Sequence, residues 1–209
     1  MNATYSQRLH HRGFTLIELL VVIAIIAVLA AMGFGAGAVA INNARKLTAR
    51  ADATSLVGAV EGYFDEYNHL PEVGGGGGGG DTDSLSDEGL MNILLAFGSG
   101  REKNPKEIRY YQGKQAKGGD NAARAYGGVF YNGNSSAELF DAWKKLQPGQ
   151  IRHYQVLMDT NYDEEMEDPF GSKRLYGVRV IAWSTGKDGQ ETRGSANAEQ
   201  NRDNVYTWR

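Results

Sequence analysis

The sequence predicts an α+β protein in which one long N-terminal helix packs on a small antiparallel β-sheet. Residues 14–41 form an apolar run in which Glu18 is the only charged residue. Helical spacing of apolar residues continues beyond that run, and residues 14–70 contain no proline. Nearer the C-terminus the pattern changes to the alternation that is typical of strands. These observations predict one long helix first and a sheet afterwards.

The apolar run at residues 14–41 is long enough to cross a membrane. Its 28 residues would extend about 42 Å as a helix, against about 30 Å for the hydrocarbon core of a bilayer. We therefore predict a transmembrane helix there, with a buried core helix as the alternative. Three glycines, at positions 33, 35 and 37, either weaken this helix locally or permit close contact with another helix.

The helix is predicted to continue through residues 42–70 as an amphipathic segment. Apolar residues recur there at spacings of three and four, which places them on one face of the helix. This stripe consists of Ala49, Ala53, Leu56, Val60, Tyr63 and Tyr67. We expect the stripe to pack on a globular head and Pro71 to mark the end of the helix.

A short basic leader, residues 1–13, precedes the apolar run. In an ordinary secretory signal the apolar segment is removed after a small-residue site, for which residues 36–38 are the candidate. The length of the run and the carboxylate at its start argue against this, because an ionised Glu in hydrocarbon is costly. Cleavage between Gly13 and Phe14 instead keeps the helix. It also creates an α-amino group near Glu18, whose carboxylate needs a cationic partner when it is buried.

Residues 12–18, Arg-Gly-Phe-Thr-Leu-Ile-Glu, resemble the processing site of class III signal peptides, which type IV pilins and type II secretion pseudopilins share. The resemblance implies that a prepilin peptidase cuts between Gly13 and Phe14 and N-methylates Phe14. It also implies that Glu18 aligns an incoming subunit with the terminal amine of its neighbour during filament assembly. The expected α+β fold is then pilin-like.

Seven consecutive glycines at residues 74–80 predict a flexible linker, which we place at residues 71–83. The globular head then spans residues 84–209. Apolar spacing and capping residues predict short helices in the head at residues 84–97 and 136–146. Strands are predicted at residues 127–131, 152–158, 176–182 and 205–208.

Short motifs in the C-terminal part resemble the major pseudopilin of type II secretion. They are Asp-Pro-Phe-Gly at residues 168–171, Ser-Thr-Gly-Lys-Asp-Gly at residues 184–189, and Asp203-Asn204. The resemblance implies a calcium ion bound by the Asp188 carboxylate, a backbone oxygen of Thr185, and Asp203; calcium is the one cofactor we expect. Glu191 and Glu199 are further carboxylates in the intervening loop. The alternative is a plain Asp-Gly turn.

Other polar groups carry weaker signals. His69 and His153 lack the spacing of metal ligands, so packing or solvent-exposed roles are expected. Five carboxylates at residues 163–168 form an acidic cluster that either binds a cation or a basic partner or is simply solvated. The absence of cysteine excludes disulfides and thiolate metal sites. No nucleophile motif and no dinucleotide fingerprint is present, so we do not expect an enzyme.

The favoured hypothesis is a structural subunit of a type II secretion pseudopilus or a related type IV pilus-like filament. Its expected partners are other pilin subunits, the prepilin peptidase, and an inner-membrane assembly platform with its ATPase. We expect a single-pass inner-membrane protein with a periplasmic head, which later enters a periplasmic or extracellular filament.

Two alternatives stay open. The first is a DNA-uptake pilin. A formal net charge of -3 disfavours it, because this charge gives no reason to expect nucleic-acid binding. The other alternative is a signal-anchored periplasmic binding module or enzyme that does not polymerise. It predicts an uncut N-terminus and tolerance of the substitution Glu18→Ala.

Overall fold

The computed structural model describes residues 14–74, 80–119, 121–145, 147–171 and 173–208, without the side chains of residues 32–36. The predicted leader, including Gly13, lies outside the described residues, as does most of the glycine run at residues 74–80. The chain divides into two compact units, and the division falls between Asn43 and Ala44. We call the first the N-terminal unit and the second the head unit.

One helix, α1 (Leu16–Tyr67), confirms the long N-terminal helix that the sequence predicts. Asn68 follows it in the left-handed conformation, with φ 57°. The Asn68 N–H donates to the Phe64 carbonyl at 2.7 Å, which satisfies one of the last carbonyls of the helix. Pro71, three residues further on, cannot continue a helix, so the chain turns away here.

In the N-terminal unit, α1 leaves its large apolar side chains uncovered. Leu16 and Ile17 are 83% and 70% exposed, and Leu29, three turns further on, is still 63% exposed. No helix in the described part of the chain has the length and hydropathy of a membrane span. An apolar helix surface of this kind is normally covered by other apolar groups.

The head unit is organised around the second half of α1. Five residues of the predicted stripe are fully buried: Ala49, Ala53, Leu56, Val60 and Tyr63. Tyr67, the sixth, packs at the edge of the same apolar cluster. A short helix, α2 (Glu88–Leu94), contributes Leu90, Met91 and Leu94 to this core. The amphipathic pattern therefore predicts correctly which face of this segment is buried.

A four-stranded antiparallel sheet completes the core of the head unit. Its order is β1 (Thr82–Leu85), β4 (Gln155–Met158), β7 (Val180–Ser184) and β8 (Val205–Tyr206). Thr82 pairs with Met158 and Val156 pairs with Ala182, so β4 lies between β1 and β7. This sheet confirms the small antiparallel sheet of the predicted α+β fold.

The sheet is covered on both faces. Val180 and Ala182 of β7 face the core that contains α1, whereas Ile181 and Trp183 join a second apolar cluster with Phe170. Every residue of β4 and of β7 is consequently buried. The alternation visible in the sequence separates two apolar faces here instead of an apolar face from a polar one.

Two hairpins lie outside the main sheet. One pairs β2 (Gly128–Asn132) with β3 (Ser136–Phe140), and the other pairs β5 (Glu165–Glu167) with β6 (Arg174–Tyr176). Short 3-10 helices occur at Gly98–Glu102, Ala122–Arg124 and Glu199–Asn201.

The helix predicted at residues 136–146 is wrong, because residues 136–140 form β3. An Asn-Gly pair precedes them, and Gly133 takes φ 56°, which a tight hairpin connection requires. Glu138, which lies within the predicted helix, instead contacts His153 Nε2 at 2.9 Å. The helix predicted at residues 84–97 is shorter than expected, since residues 82–85 form β1 and Asp87 caps α2.

Candidate functional site

Thr15 and Glu18 form a reciprocal hydrogen-bonded cap at the start of α1. Glu18 Oε2 accepts the Thr15 N–H and the Thr15 hydroxyl, each at 2.8 Å. The Glu18 N–H donates in return to Thr15 Oγ1 at 3.3 Å. This is the capping-box arrangement, with Thr at the N-cap and Glu three residues later. The Thr-x-x-Glu spacing is visible in the sequence, and it makes the helix begin directly after the predicted new terminus at Phe14.

The Glu18 carboxylate stands within an apolar surface. Phe14, Ile17, Val21 and Val22 surround it, and Phe14 is 77% exposed. Covering such a surface with other apolar groups would remove the carboxylate from water, which is costly unless a cation meets it. The arrangement therefore offers one anionic point in the otherwise apolar segment at residues 14–41, as pairing with an α-amino group requires.

The structure brings Asp188 and Asp203 together in the C-terminal part of the head unit. Asp203 Oδ2 accepts the backbone N–H groups of Lys187 and Asp188, the latter at 3.1 Å. Asp188 Oδ1 accepts the Gln190 N–H at 2.9 Å. Partial burial and the nearby Asp203 raise the pKa of Asp188, although the hydrogen bond from Gln190 opposes this. Both carboxylates thus stabilise the turn itself, which also fits the plain-turn alternative.

A buried lysine lies beside Thr185, the remaining predicted calcium ligand. Lys145 Nζ donates to Thr185 Oγ1 at 3.0 Å, to the Ile151 carbonyl at 2.8 Å and to Asp141 Oδ2 at 2.7 Å. The side chains of Lys145 and Asp141 are both fully buried. The ammonium supplies positive charge close to where a calcium ion was expected, and no sequence motif marks it. Calcium at Asp188, Thr185 and Asp203 stays a prediction.

The loop that precedes Asp203 is anchored by an arginine. Arg193 contacts Asp83 of β1 at 2.8 Å and Glu191 at 3.0 Å. Glu191 also accepts the indole N–H of Trp183 at 2.7 Å. This carboxylate, which the sequence offered as a further calcium ligand, therefore already has two protein partners.

A different set of carboxylates converges at the edge of the sheet. Asp81, Asp159 and Asp163 each place one carboxylate oxygen within 4.8 Å of the other two. Among the described residues, these three form the one group of His, Cys, Asp or Glu side chains that is close enough to share a metal ion. Only Asp163 belongs to the acidic cluster visible in the sequence. Asp81 and Asp159 are far apart along the chain, and only the pairing of β1 with β4 makes them neighbours.

The two histidines of the head unit contact their neighbours in the protein. His69 Nδ1 lies 3.0 Å from the Leu70 carbonyl oxygen, and the His69 ring packs against the ring of Tyr63 with centroids 5.6 Å apart. His153 packs against Phe140 in addition to its contact with Glu138.

One family model matches the chain, and it is described as the prokaryotic N-terminal methylation motif at residues 8–34. Comparison with curated proteins and with solved structures gives no match. The resemblance of the C-terminal motifs to the major pseudopilin therefore stays a prediction. The matched segment contains the predicted cleavage site, the Thr15–Glu18 cap and the start of the apolar helix surface. The chain carries the prokaryotic N-terminal methylation motif, which is the prepilin signal of type IV pilins and pseudopilins.

Proposed function

We propose that this chain is a structural subunit of a type II secretion pseudopilus or a related type IV pilus-like filament. The observation that carries the proposal is Glu18, a single carboxylate on a helix surface of exposed apolar side chains. In a filament, neighbouring copies cover this surface, and the terminal amine of one subunit supplies the cation that Glu18 of the next one needs. The methylation motif at residues 8–34 supports the same role.

Processing prepares the helix for this contact. Cleavage between Gly13 and Phe14 places the new amino group one residue before the Thr15–Glu18 cap. N-methylation of Phe14 keeps that amine basic, so the cation persists at neutral pH. The cap holds the first turn of α1 in a defined conformation, and this lowers the conformational entropy lost on association.

Before assembly, the apolar segment at residues 14–41 anchors the protein in the inner membrane and the head lies in the periplasm. Other pilin subunits, an inner-membrane platform and its ATPase then move it into the filament. The chain carries out no covalent chemistry in this scheme and is itself a substrate of the prepilin peptidase.

The first test is the intact mass and N-terminal sequence of the protein isolated from its own membranes. We expect a start at N-methylated Phe14. A start at Met1 or at Val39 would refute the proposal, because the first leaves the leader in place and the second removes the apolar helix. Either result would favour the signal-anchored module that does not polymerise.

The second test separates processing from assembly. The variants Glu18→Ala and Glu18→Gln should still start at Phe14 but lose filament formation by about tenfold or more, since each removes the charge that pairs with the amine. Glu61→Ala, which removes an exposed carboxylate from the same helix, is the matched control and should assemble normally. Normal filament yield from Glu18→Ala would contradict the assigned role of this carboxylate.

A further inference from the structure

The carboxylates of Asp81, Asp159 and Asp163 meet where two paired strands end. Asp81 comes directly before β1 and Asp159 comes directly after β4, and Thr82 of β1 pairs with Met158 of β4. Asp163 approaches from the loop that follows β4, and one oxygen of each carboxylate lies within 4.8 Å of the others. Two oxygens bound to the same calcium ion at 2.3–2.6 Å are at most about 5 Å apart, so this spacing suits a shared ion.

Two of these carboxylates contain a buried oxygen that lacks a protein partner. Asp159 is only 1% exposed, and its Oδ1 atom has no hydrogen-bond partner among the described residues. Its Oδ2 atom accepts the Glu164 N–H at 3.0 Å, so one side of the carboxylate is satisfied and the other is not. Asp81 Oδ1 is likewise buried and unpartnered within the described part of the chain. Buried carboxylate oxygens without a donor are costly, and a bound cation would satisfy them.

The charged groups that act on Asp81 are all carboxylates. Burial, together with Asp159, Asp163, Glu167 and Asp83, raises the pKa of Asp81 to about 6. Two arginines also line the cleft beside these carboxylates, and both have acidic partners: Arg193 contacts Asp83 and Glu191, and Arg174 contacts Glu165. Asp81, Asp163 and Glu167 help to line a cleft of about 550 Å³, which gives an ion access from solvent to the carboxylates of Asp81 and Asp163.

We infer that Asp81, Asp159 and Asp163 form a binding site for a divalent cation, with Ca²⁺ as the ion that fits best. The site lies apart from the calcium site that the sequence predicts at Asp188, Thr185 and Asp203. Its donors are all oxygens, which favours a hard cation over zinc, for which nitrogen and sulfur ligands are more usual. Calcium tolerates the irregular geometry of loop ligands, whereas Mg²⁺ demands a near-ideal octahedron.

A bound ion would connect two separate segments of the head unit. Asp81 lies at the end of the glycine run, and Asp159 and Asp163 belong to the loop after β4. Ca²⁺ would therefore fix the entry of the chain into β1 against that loop. Loop-built extracellular calcium sites bind with dissociation constants of about 10⁻⁴–10⁻³ M, and we expect this site to fall in that range.

The test is a calorimetric titration of the full-length protein in detergent with CaCl₂, after treatment with EDTA. We expect saturable binding that depends on these carboxylates, and a thermal unfolding midpoint that CaCl₂ raises and EDTA lowers again. Asp163→Asn removes an exposed ligand, so it should fold normally and bind Ca²⁺ about tenfold more weakly or worse. Asp159→Asn should lose binding as well, and if its fold fails, Asp163→Asn decides the question.

Two further variants make the result specific. Asp65→Asn, which changes an exposed carboxylate of α1, is the matched control and should bind Ca²⁺ within about twofold of the unaltered protein. Asp203→Asn distinguishes the two candidate sites and should also retain binding. The inference is overturned by an absence of saturable binding up to about 10 mM CaCl₂. It is equally overturned if Asp163→Asn binds normally, or if Asp203→Asn loses as much affinity as Asp163→Asn.

Discussion

At the residue scale, the buried ion pair of Asp141 and Lys145 should matter strongly for stability. Both side chains are fully buried, and Lys145 Nζ also donates to the Thr185 hydroxyl and the Ile151 carbonyl. Replacing Lys145 with Met leaves the Asp141 carboxylate buried without its cation. We expect the free energy of unfolding to fall by about 3–5 kcal/mol, measured by denaturant unfolding of the purified protein.

The double variant Asp141→Asn/Lys145→Met is the control for that prediction. It removes both charges, so it should be markedly more stable than Lys145→Met alone. Equal stability of the single and double variants would mean that lost packing, and not an uncompensated charge, causes the effect.

In the ion-free protein, the ionised Asp81 carboxylate should make the fold less stable at neutral pH than at acidic pH. Its pKa is about 6 in the folded protein against 3.8 as the ordinary value, so the folded state holds a proton that the unfolded state releases. The stability that this proton gives the folded state is fully present below about pH 4, and it is lost as the pH rises through about 6. Asp81→Asn should therefore raise the unfolding midpoint in EDTA at pH 7.

The expected rise is about 2–4 °C, corresponding to about 1 kcal/mol, because the partly exposed carboxyl is screened by solvent. The measurement is thermal unfolding in EDTA at pH 5 and pH 7. The advantage of the variant should be smaller at pH 5, where the native carboxyl is largely protonated. An advantage that does not change between the two pH values would contradict this explanation.

The sequence signal for the N-terminal site residues is local, and their roles stay predictions. Gly13, Phe14 and Glu18 stand within one short motif, and the matched family model covers them. Asp81 and Asp159 are not predictable in this way, because the register of β1 against β4 alone brings them together. Lys145 is missed for a similar reason, since its hydrogen-bond partners come from different segments of the chain.

At the scale of elements, the buried stripe of α1 should hold the head unit together. Leu56 is fully buried in the core, while Leu47, on the same helix, is 71% exposed. Leu56→Ala should lower the free energy of unfolding by about 2–5 kcal/mol because it leaves a cavity. Leu47→Ala is the matched control, and its effect should stay within about 0.5 kcal/mol. Similar losses in both variants, measured by denaturant unfolding, would contradict the assigned packing of the helix.

The long helix α1 was more predictable than the short segment at residues 136–146. The stripe of α1 follows a 3.6-residue period over several turns, and this signal is local and redundant. Residues 136–140 offered only a few apolar positions, which fit a helix or a strand equally well. Their partner strand β2 and the Asn-Gly connection decide the outcome in the structure. The Asn-Gly pair was the available sequence signal for a hairpin.

At the scale of the whole molecule, the two units differ in how they satisfy their apolar residues. Each apolar cluster among the described residues consists of head-unit residues, beginning with Ala49. The large apolar side chains from Phe14 to Leu29 are exposed and belong to none of these clusters. The head unit therefore contains its own core, whereas the N-terminal unit depends on lipid or on other subunits in the proposed filament.

This difference predicts the behaviour of a chain that begins at Ala44. It retains the whole buried stripe of α1, α2 and the four-stranded sheet, so it should fold on its own and unfold in one cooperative transition. It should also stay monomeric in water, because the exposed apolar surface of the N-terminal unit is gone. Near-ultraviolet circular dichroism, which reports on buried Trp143 and Trp183, should show an unfolding midpoint within about 4 °C of the full-length protein in detergent. A chain with helical far-ultraviolet signal but no near-ultraviolet signal would be a molten globule, and the head unit would then need the N-terminal unit for its specific packing.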